Sequence, residues 1–176
     1  MARRLIEPPT VRIAGADDAE AVTSFRCGHR PWYVQDAAKV IRRVESVLGT
    51  PAAIIHRTEV LLFEEGGEEE DRLIALSILQ QAHDSRTADL VVLAVSEVLQ
   101  GAWLRERPAR PLCVAVLEDT LRFAAREGYQ RILAMAAEQN TKSVRLITRA
   151  GFTSVTQLDG DYVLYQAALP SIDDAS

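Results

Sequence analysis

The sequence predicts an α/β domain built around a mixed central sheet. Residues 90–95 are apolar on both faces, as a strand covered on both sides must be, and Arg131–Ala137 forms a second apolar segment of strand length. Between them, Pro111 begins a helical pattern that Gly128 ends. A strand, a helix and a strand of these lengths form a crossover, so we expect the two strands to be parallel.

Apolar spacing and turn residues place further elements before residue 90. In chain order we expect a strand at 10–14, a helix begun by Asp17 and Asp18 and reaching Phe25, a helix at 31–48, an antiparallel strand pair at 53–63 and 73–81, and a polar turn at 84–87. The pair is joined at Gly66 and Gly67, where the surrounding acidic residues Glu64 to Asp71 predict a solvated turn.

The segments after residue 95 are interpreted in the same way. Residues 96–110 are expected to be irregular, and Asn140 is expected to cap a short helix that Gly151 ends. Phe152 then opens a last pair of strands around the turn at 159–161. For the helix after Pro111, the predicted inner face consists of Val114, Leu117, Leu121 and Ala124.

Length and composition limit the class of protein. The chain has 176 residues, of which 48% are hydrophobic and 26% charged, so we expect one domain over residues 1–170 and a loose tail at 171–176. No signal peptide and no apolar run long enough to span a bilayer is evident, so a cytoplasmic location is the default expectation. A net charge of -5 argues against a surface built for nucleic acid.

The metal-ligating residue types are scattered. Cys27 and Cys113 have no paired spacing and are predicted to be small buried thiols rather than a disulfide or a metal site. His29, His56 and His83 share no ligand spacing either, so no metal is expected.

A ligand in such a sheet is expected beyond the carboxyl ends of the parallel strands, between Val95 and Asn140. The amino end of the Pro111 helix can hold phosphate, and three arginines, Arg105, Arg107 and Arg110, precede it. The alternative reading of these arginines is a solvated basic loop.

The order of elements and the run from Asn140 to Phe152, Asn-Thr-Lys-Ser-Val-Arg-Leu-Ile-Thr-Arg-Ala-Gly-Phe, resemble the GCN5-related N-acetyltransferase (GNAT) family. Element order is similar over residues 11–169, and individual residues are similar over residues 90–152. The resemblance implies the acyl-CoA N-acyltransferase fold, in which a mixed sheet flanked by helices is split between its fourth and fifth strands. Those strands would be residues 90–95 and Arg131–Ala137, and acetyl-CoA would lie in the split.

The resemblance also implies the residues that hold acetyl-CoA as co-substrate. The pantetheine arm would pair with the backbone of Leu93 and Val95, and Asn140 would contact the arm. The diphosphate would meet the loop and helix start at Arg107, Arg110 and Leu112.

Direct transfer to an amine needs a donor to the thioester carbonyl and a group that takes the proton of the amine. The resemblance places the backbone of Val95 and the carboxylate of Glu97 at these two positions, so Glu97 is the predicted catalytic residue.

The sequence departs from the family at two places. The frame Arg107-Pro-Ala-Arg110-Pro-Leu112 lacks both glycines of the family's pyrophosphate loop, which weakens a close backbone cradle. Ile147 stands where the family often has a tyrosine acid. The tyrosines that could replace it are Tyr33, Tyr162 and Tyr165.

Three functions remain open on the sequence. The leading hypothesis is an N-acetyltransferase that uses acetyl-CoA on a small-molecule or peptide primary amine. The alternatives are a catalytically impaired GNAT-like ligand-binding or regulatory domain, and an unrelated α/β domain with structural duties. Neither nucleic acid nor a membrane is an expected partner, and a homodimer stays open because Trp32 or Trp103 could mark a contact surface.

Overall fold

The structure is a computed structural model that describes residues 4–27, 58–66, 72–82 and 86–170. The helix predicted at 31–48, the tail at 171–176, the three histidines and Trp32 lie outside these residues. Within the described ranges, no helix is long and apolar enough to cross a membrane.

Nine strands and three α-helices are present in the described residues. They are β1 (Leu5–Ile6), β2 (Thr10–Ile13), α1 (Ala19–Ser24), β3 (Thr58–Glu65), β4 (Arg72–Gln81), β5 (Thr87–Val95), β6 (Trp103–Leu104), α2 (Leu112–Arg126), β7 (Arg131–Ala137), α3 (Thr141–Arg149), β8 (Thr153–Gln157) and β9 (Tyr162–Ala168). The predicted bounds of β7 are confirmed, whereas β1 and β6 were not predicted and Thr87 begins β5 rather than ending a turn.

The main sheet has seven strands in the order β2-β3-β4-β5-β7-β9-β8. The β5–β7 pair is parallel and the other pairs are antiparallel, so the sheet is mixed and β5 is its middle strand. The predicted α/β class and the parallel crossover through α2 are confirmed.

Helix α2 packs on one face of this sheet and joins two parts of the core. Its Leu117 and Ala124 contact the cluster that contains Leu90 and Ile132, whereas its Ala115 and Val116 contact the cluster that contains Phe63. The predicted inner face was therefore wrong at Val114, which is only half-buried, because the helix lies across a twisted sheet and buries two adjacent stripes. The cluster on the opposite face includes Val22 of α1, Cys27 and Val60.

The parallel pair β5–β7 separates partway along its length. Its register runs from Thr87 opposite Arg131 to Leu90 opposite Ala134 and goes no further. On its other side, β5 stays paired with β4 as far as Val95, with an irregularity that leaves Val91 as the extra residue of a bulge. The sheet is thus split between the strands that the sequence predicted, and the carboxyl half of β5 forms one wall of the split.

The segment at residues 96–111, here called the β5–α2 connection, is more ordered than predicted. It begins with a 3₁₀ turn at Glu97–Leu99, and its strand β6 pairs in parallel with β1. The amide of Leu104 donates to the carbonyl of Arg110, at 2.8 Å, which closes the connection on itself. The prediction of an irregular segment was wrong because the partner strand β1 lies about a hundred residues earlier in the chain.

The helix α1 begins differently from the prediction. Asp18 occupies its N-cap position, but its carboxylate makes no capping bond and instead accepts hydrogen bonds from Arg12, at 2.6 and 2.7 Å, and from the amide of Gly15. The bonds from Arg12 lower the pKa of Asp18. Arg12 also donates to Glu64, which is 8% exposed in β3, so the expectation of a solvated acid at that position was wrong.

Candidate functional site

The backbone of β5 offers hydrogen-bonding groups to the split. The amide of Ser96 donates to the carbonyl of Ile74 in β4, at 2.8 Å. Because successive residues of a strand point their backbone groups to opposite sides, Ala94 also faces β4, whereas Leu93 and Val95 face away from it. No described strand pairs with β5 on that side beyond Leu90. Leu93 and Val95 therefore present unpaired N–H and C=O groups along the wall of the split.

The amino end of α2 lies next to the β5–α2 connection, and its polar groups are largely occupied. Pro111 is the N-cap residue rather than the first helical residue, and it has no N–H. The amide of Leu112 donates to the carbonyl of Ala102, at 2.9 Å, and the Leu112 side chain is 1% exposed. Val114 and Ala115 donate to the Pro111 carbonyl. This helix end therefore offers fewer open donors than an ordinary amino terminus.

The three arginines of the connection have different environments. Arg110 is half-buried and forms ion pairs with Glu106 and Glu118. Arg105 pairs with Glu7, at 3.0 Å. Arg107 is exposed and makes no ion pair within the described part of the chain. Of the predicted phosphate contacts, only Arg107 has its guanidinium available.

Asn140 occupies the loop between β7 and α3. Its side-chain oxygen accepts a hydrogen bond from the amide of Ser143, at 3.3 Å, as an N-cap residue does. The predicted cap is confirmed. Gly151 ends the helix with φ of +89°, a conformation that glycine adopts without strain, and the adjacent Phe152 is 3% exposed in the core.

A surface depression of about 430 Å³ lies where β5 ends. Three segments form it: the end of α1 with Phe25 and Arg26, the start of β4 at Arg72 and Leu73, and the start of the β5–α2 connection at Glu97. Glu97 is half-buried, and it follows Val95 by two residues. The predicted catalytic carboxylate therefore lies beside a cavity of the size that small molecules occupy.

Two hydrogen bonds fix the end of α1 against the end of β5. The amide of Glu97 donates to the carbonyl of Arg26, at 2.9 Å, and the side-chain amide of Gln100 donates to the carbonyl of Cys27, also at 2.9 Å. Cys27 is buried, and burial raises the pKa of its thiol, with a further contribution from the charge of Glu97. The wall of the depression is thus tied directly to the strand that lines the split.

The remaining candidate side chains are placed as follows. Tyr165 is 7% exposed within the core, Tyr162 is 36% exposed at the start of β9, and Tyr33 is outside the described residues. Cys113 is half-buried, and burial raises the pKa of its thiol. Trp103 is half-buried in β6 and not the exposed aromatic expected. In the part of the chain that the structure describes, no group of three acidic, histidine or cysteine residues could hold a metal ion.

The sequence did not single out Arg72 or Leu73. Each lies far along the chain from Glu97, and the depression that brings them together depends on the sheet order. The only available signal was the position of Arg72 at the start of a predicted strand, which does not distinguish a site residue from a solvated one.

No family model matches the sequence, and no curated protein matches it significantly. Solved structures are similar to this chain over most of its length. The GNAT domain of S. lividans PAT is 21% identical, with a TM-score of 0.67 over 92% of this chain and 90% of that one. The spermidine/spermine N-acetyltransferase SpeG of Vibrio cholerae is 14% identical, with a TM-score of 0.65 over 92% and 94%.

The protein yncA of Salmonella typhimurium, whose structure contains its cofactor acetyl-CoA, is 19% identical, with a TM-score of 0.60 over 93% of this chain and 95% of that one. At these identities the likeness concerns the fold, and it agrees with the split sheet and the helices on its faces. The chain therefore has the fold of the GNAT acetyltransferases.

Proposed function

We propose that this protein is an N-acetyltransferase that moves the acetyl group of acetyl-CoA directly to a primary amine. The observation that carries the proposal is the wall of the split, where Leu93 and Val95 turn unpaired backbone groups outward next to the depression at Glu97. An extended amide-containing arm such as pantetheine can add to such an edge as a further strand does. Of the structurally similar proteins, one is a spermidine/spermine N-acetyltransferase and another contains acetyl-CoA in its structure.

The proposed contacts to acetyl-CoA use backbone and side-chain groups that remain available to a ligand. Leu93 and Val95 would pair with the pantetheine arm, the amide group of Asn140 would reach it from the other wall, and Arg107 would meet the diphosphate. Arg110 and Leu112, expected to bind phosphate on the sequence, would first have to leave Glu106, Glu118 and the Ala102 carbonyl.

The transfer step assigns roles to two groups of this chain. The amine nitrogen attacks the thioester carbonyl carbon, and the carboxylate of Glu97 takes the proton that the nitrogen loses. The N–H of Val95 donates to the oxyanion that develops on the carbonyl oxygen. The carbon–sulfur bond then breaks, the thiolate takes up a proton from solvent while Glu97 returns its proton to solvent, and the products are an N-acetylated amine and free CoA.

A thiol-release assay with acetyl-CoA and a panel of primary amines tests this proposal. We expect release of CoA in equal amount to the acetylated amine, and a fall in kcat of about a hundredfold or more for Glu97→Gln. Glu20→Gln in α1 is the matched control, because Glu20 is exposed and does not line the depression. Equal kcat for the two variants would remove Glu97 from the catalytic role.

A second function is favoured by the occupied groups at the amino end of α2. Because the Leu112 amide and the Arg110 guanidinium already have partners, a ligand-binding domain with impaired catalysis is the competing proposal. It predicts that acetyl-CoA binds in a calorimetric titration but that no amine of the panel causes thiol release.

A further inference from the structure

The described residues that line the depression beside Glu97 carry more positive than negative charge, which is unusual for a site that binds an amine. Arg26 and Arg72 both line it and are exposed, and neither forms an ion pair with a described residue. Glu97 is the one acid among its described lining residues. Glu65 lies opposite Arg72 in the β3–β4 ladder but makes no ion pair with it.

A third guanidinium approaches the same rim. Arg4 donates to the carbonyl of Val98, at 3.4 Å, and Val98 lines the depression. Two arginines thus line the depression together with one carboxylate, and a third arginine contacts Val98 at its rim. Arginine forks recognise carboxylate and phosphate groups with two parallel hydrogen bonds, and the described part of this rim carries more positive than negative side chains, which disfavours a polycation.

We propose that the acceptor is an amine that also carries an anionic group, a carboxylate or a phosphate, which Arg26 and Arg72 bind while Glu97 faces the amine. This inference rests on the proposed function and narrows its acceptor class. The apolar wall formed by Phe25, Leu73 and Val98 gives the acceptor room for an apolar side chain. An amino acid such as phenylalanine has all three features, and a polyamine has only the amine.

The test compares phenylalanine with 2-phenylethylamine, which lacks only the carboxylate, and includes spermidine as a polycation. We expect kcat/KM for phenylalanine to exceed that for 2-phenylethylamine by about tenfold, as one charge-assisted pair allows, with spermidine the poorest acceptor. Phosphoethanolamine against ethanolamine is the second pair, and the pair with the larger ratio identifies the anion as carboxylate or phosphate.

Variants tie the preference to the two arginines. Arg26→Gln and Arg72→Gln should each raise KM for the anionic acceptor several-fold and leave the neutral amine unchanged. Arg149→Gln is the control, because it removes one exposed positive charge at the far end of α3. Since both acceptors are measured with every variant, the change in their ratio from the unsubstituted protein to the variant does not depend on the intrinsic reactivity of the amines.

A binding experiment separates this inference from the proposed function. Calorimetric titration with N-acetylphenylalanine and N-acetyl-2-phenylethylamine should show tighter binding of the carboxylate, and Arg26→Gln and Arg72→Gln should each reduce the difference. If this binding pattern is seen but no amine causes thiol release, the anion site is supported and the proposed transferase activity is excluded. Equal binding of the two compounds, an unchanged ratio in both arginine variants, or a preference for spermidine would overturn the inference.

Discussion

The two connections that border the split are stabilised in different ways. After β7, Asn140, Gly151 and Phe152 define α3 through contacts within thirteen residues of one another: a cap, a left-handed end and a buried aromatic. After β5, the connection depends on distant partners, because β6 pairs with β1 and the Gln100 side chain donates to the carbonyl of Cys27. The first connection is local in sequence and the second is not.

This difference bears on where the proposed contacts to acetyl-CoA can form. The connection after β7 keeps the family-like pattern, whereas the β5–α2 connection uses its own amides and arginines for internal contacts. A phosphate group would compete with those contacts, so we expect this end of the split to limit affinity for acetyl-CoA. The following substitutions test each side of the comparison.

Phe152→Ala should have the largest effect. Its side chain is 3% exposed and packs in the cluster that joins α2, α3, β7 and β9, so we expect a loss of about 3–5 kcal/mol in the free energy of unfolding. Urea denaturation measures it. Val155→Thr is the control, because Val155 is 48% exposed in the next strand and its substitution should change stability by less than about 0.5 kcal/mol. A similar loss of unfolding free energy in Phe152→Ala and Val155→Thr would show that Phe152 does not anchor this connection.

Ile6→Ala tests whether β1 supports the β5–α2 connection. Ile6 is 4% exposed and packs in the cluster that contains Leu104, so its truncation should cost about 2–4 kcal/mol. The neighbouring Leu5→Ala is the matched control, because Leu5 is 48% exposed and its loss should cost less than about 0.5 kcal/mol. If the two variants unfold at the same urea concentration, β1 contributes nothing to the connection.

Asn140 combines a structural and a proposed binding role, and two substitutions separate them. Asn140→Ala removes the cap and should lower the free energy of unfolding by about 1 kcal/mol. Asn140→Ser keeps a capping oxygen and should restore most of that stability, yet it lacks the side-chain amide donor. If KM for acetyl-CoA rises equally in both variants, Asn140 contacts the cofactor. If KM for acetyl-CoA returns to its original value in Asn140→Ser, Asn140 acts only as a helix cap.

Glu118→Gln should have the smallest effect, and it should strengthen the binding of acetyl-CoA rather than weaken it. It removes one partner of Arg110, so the guanidinium becomes available to phosphate and the Kd for acetyl-CoA should fall by about 2- to 5-fold. Asp159→Asn is the control for net charge, because Asp159 is exposed in the β8–β9 turn. Unchanged or weaker binding in Glu118→Gln would show that Arg110 is not held back from the cofactor by its ion pairs.

Elements with local signals were predictable. Residues 131–137 are a short apolar run between a glycine turn and a capped helix, and the predicted bounds of β7 were correct. By contrast, β6 has two residues and depends on β1, so no local pattern reveals it. The inner face of α2 was wrong in part because helical spacing alone cannot show that one helix covers two stripes of a twisted sheet.

The family resemblance indicated both backbone groups of the candidate site, at Leu93 and Val95, and one side chain of its depression, Glu97. Leu93 and Val95 were named through the family resemblance, and the register of β5 against β4 shows that their backbone groups face away from β4. The occupation of Arg110 could not be foreseen, because its partner Glu118 lies two turns further on in another element. Arg26 and Arg72 join Glu97 only through the tertiary fold.

The central claim is that the β5 wall of the split receives acetyl-CoA, and amide hydrogen exchange of single residues tests it directly. On addition of acetyl-CoA, exchange should slow at the amides of Leu93 and Val95, which face the split, and stay unchanged at Ala94, which faces β4. Binding that leaves Leu93 and Val95 as fast as before, or no binding at millimolar acetyl-CoA, would contradict the account.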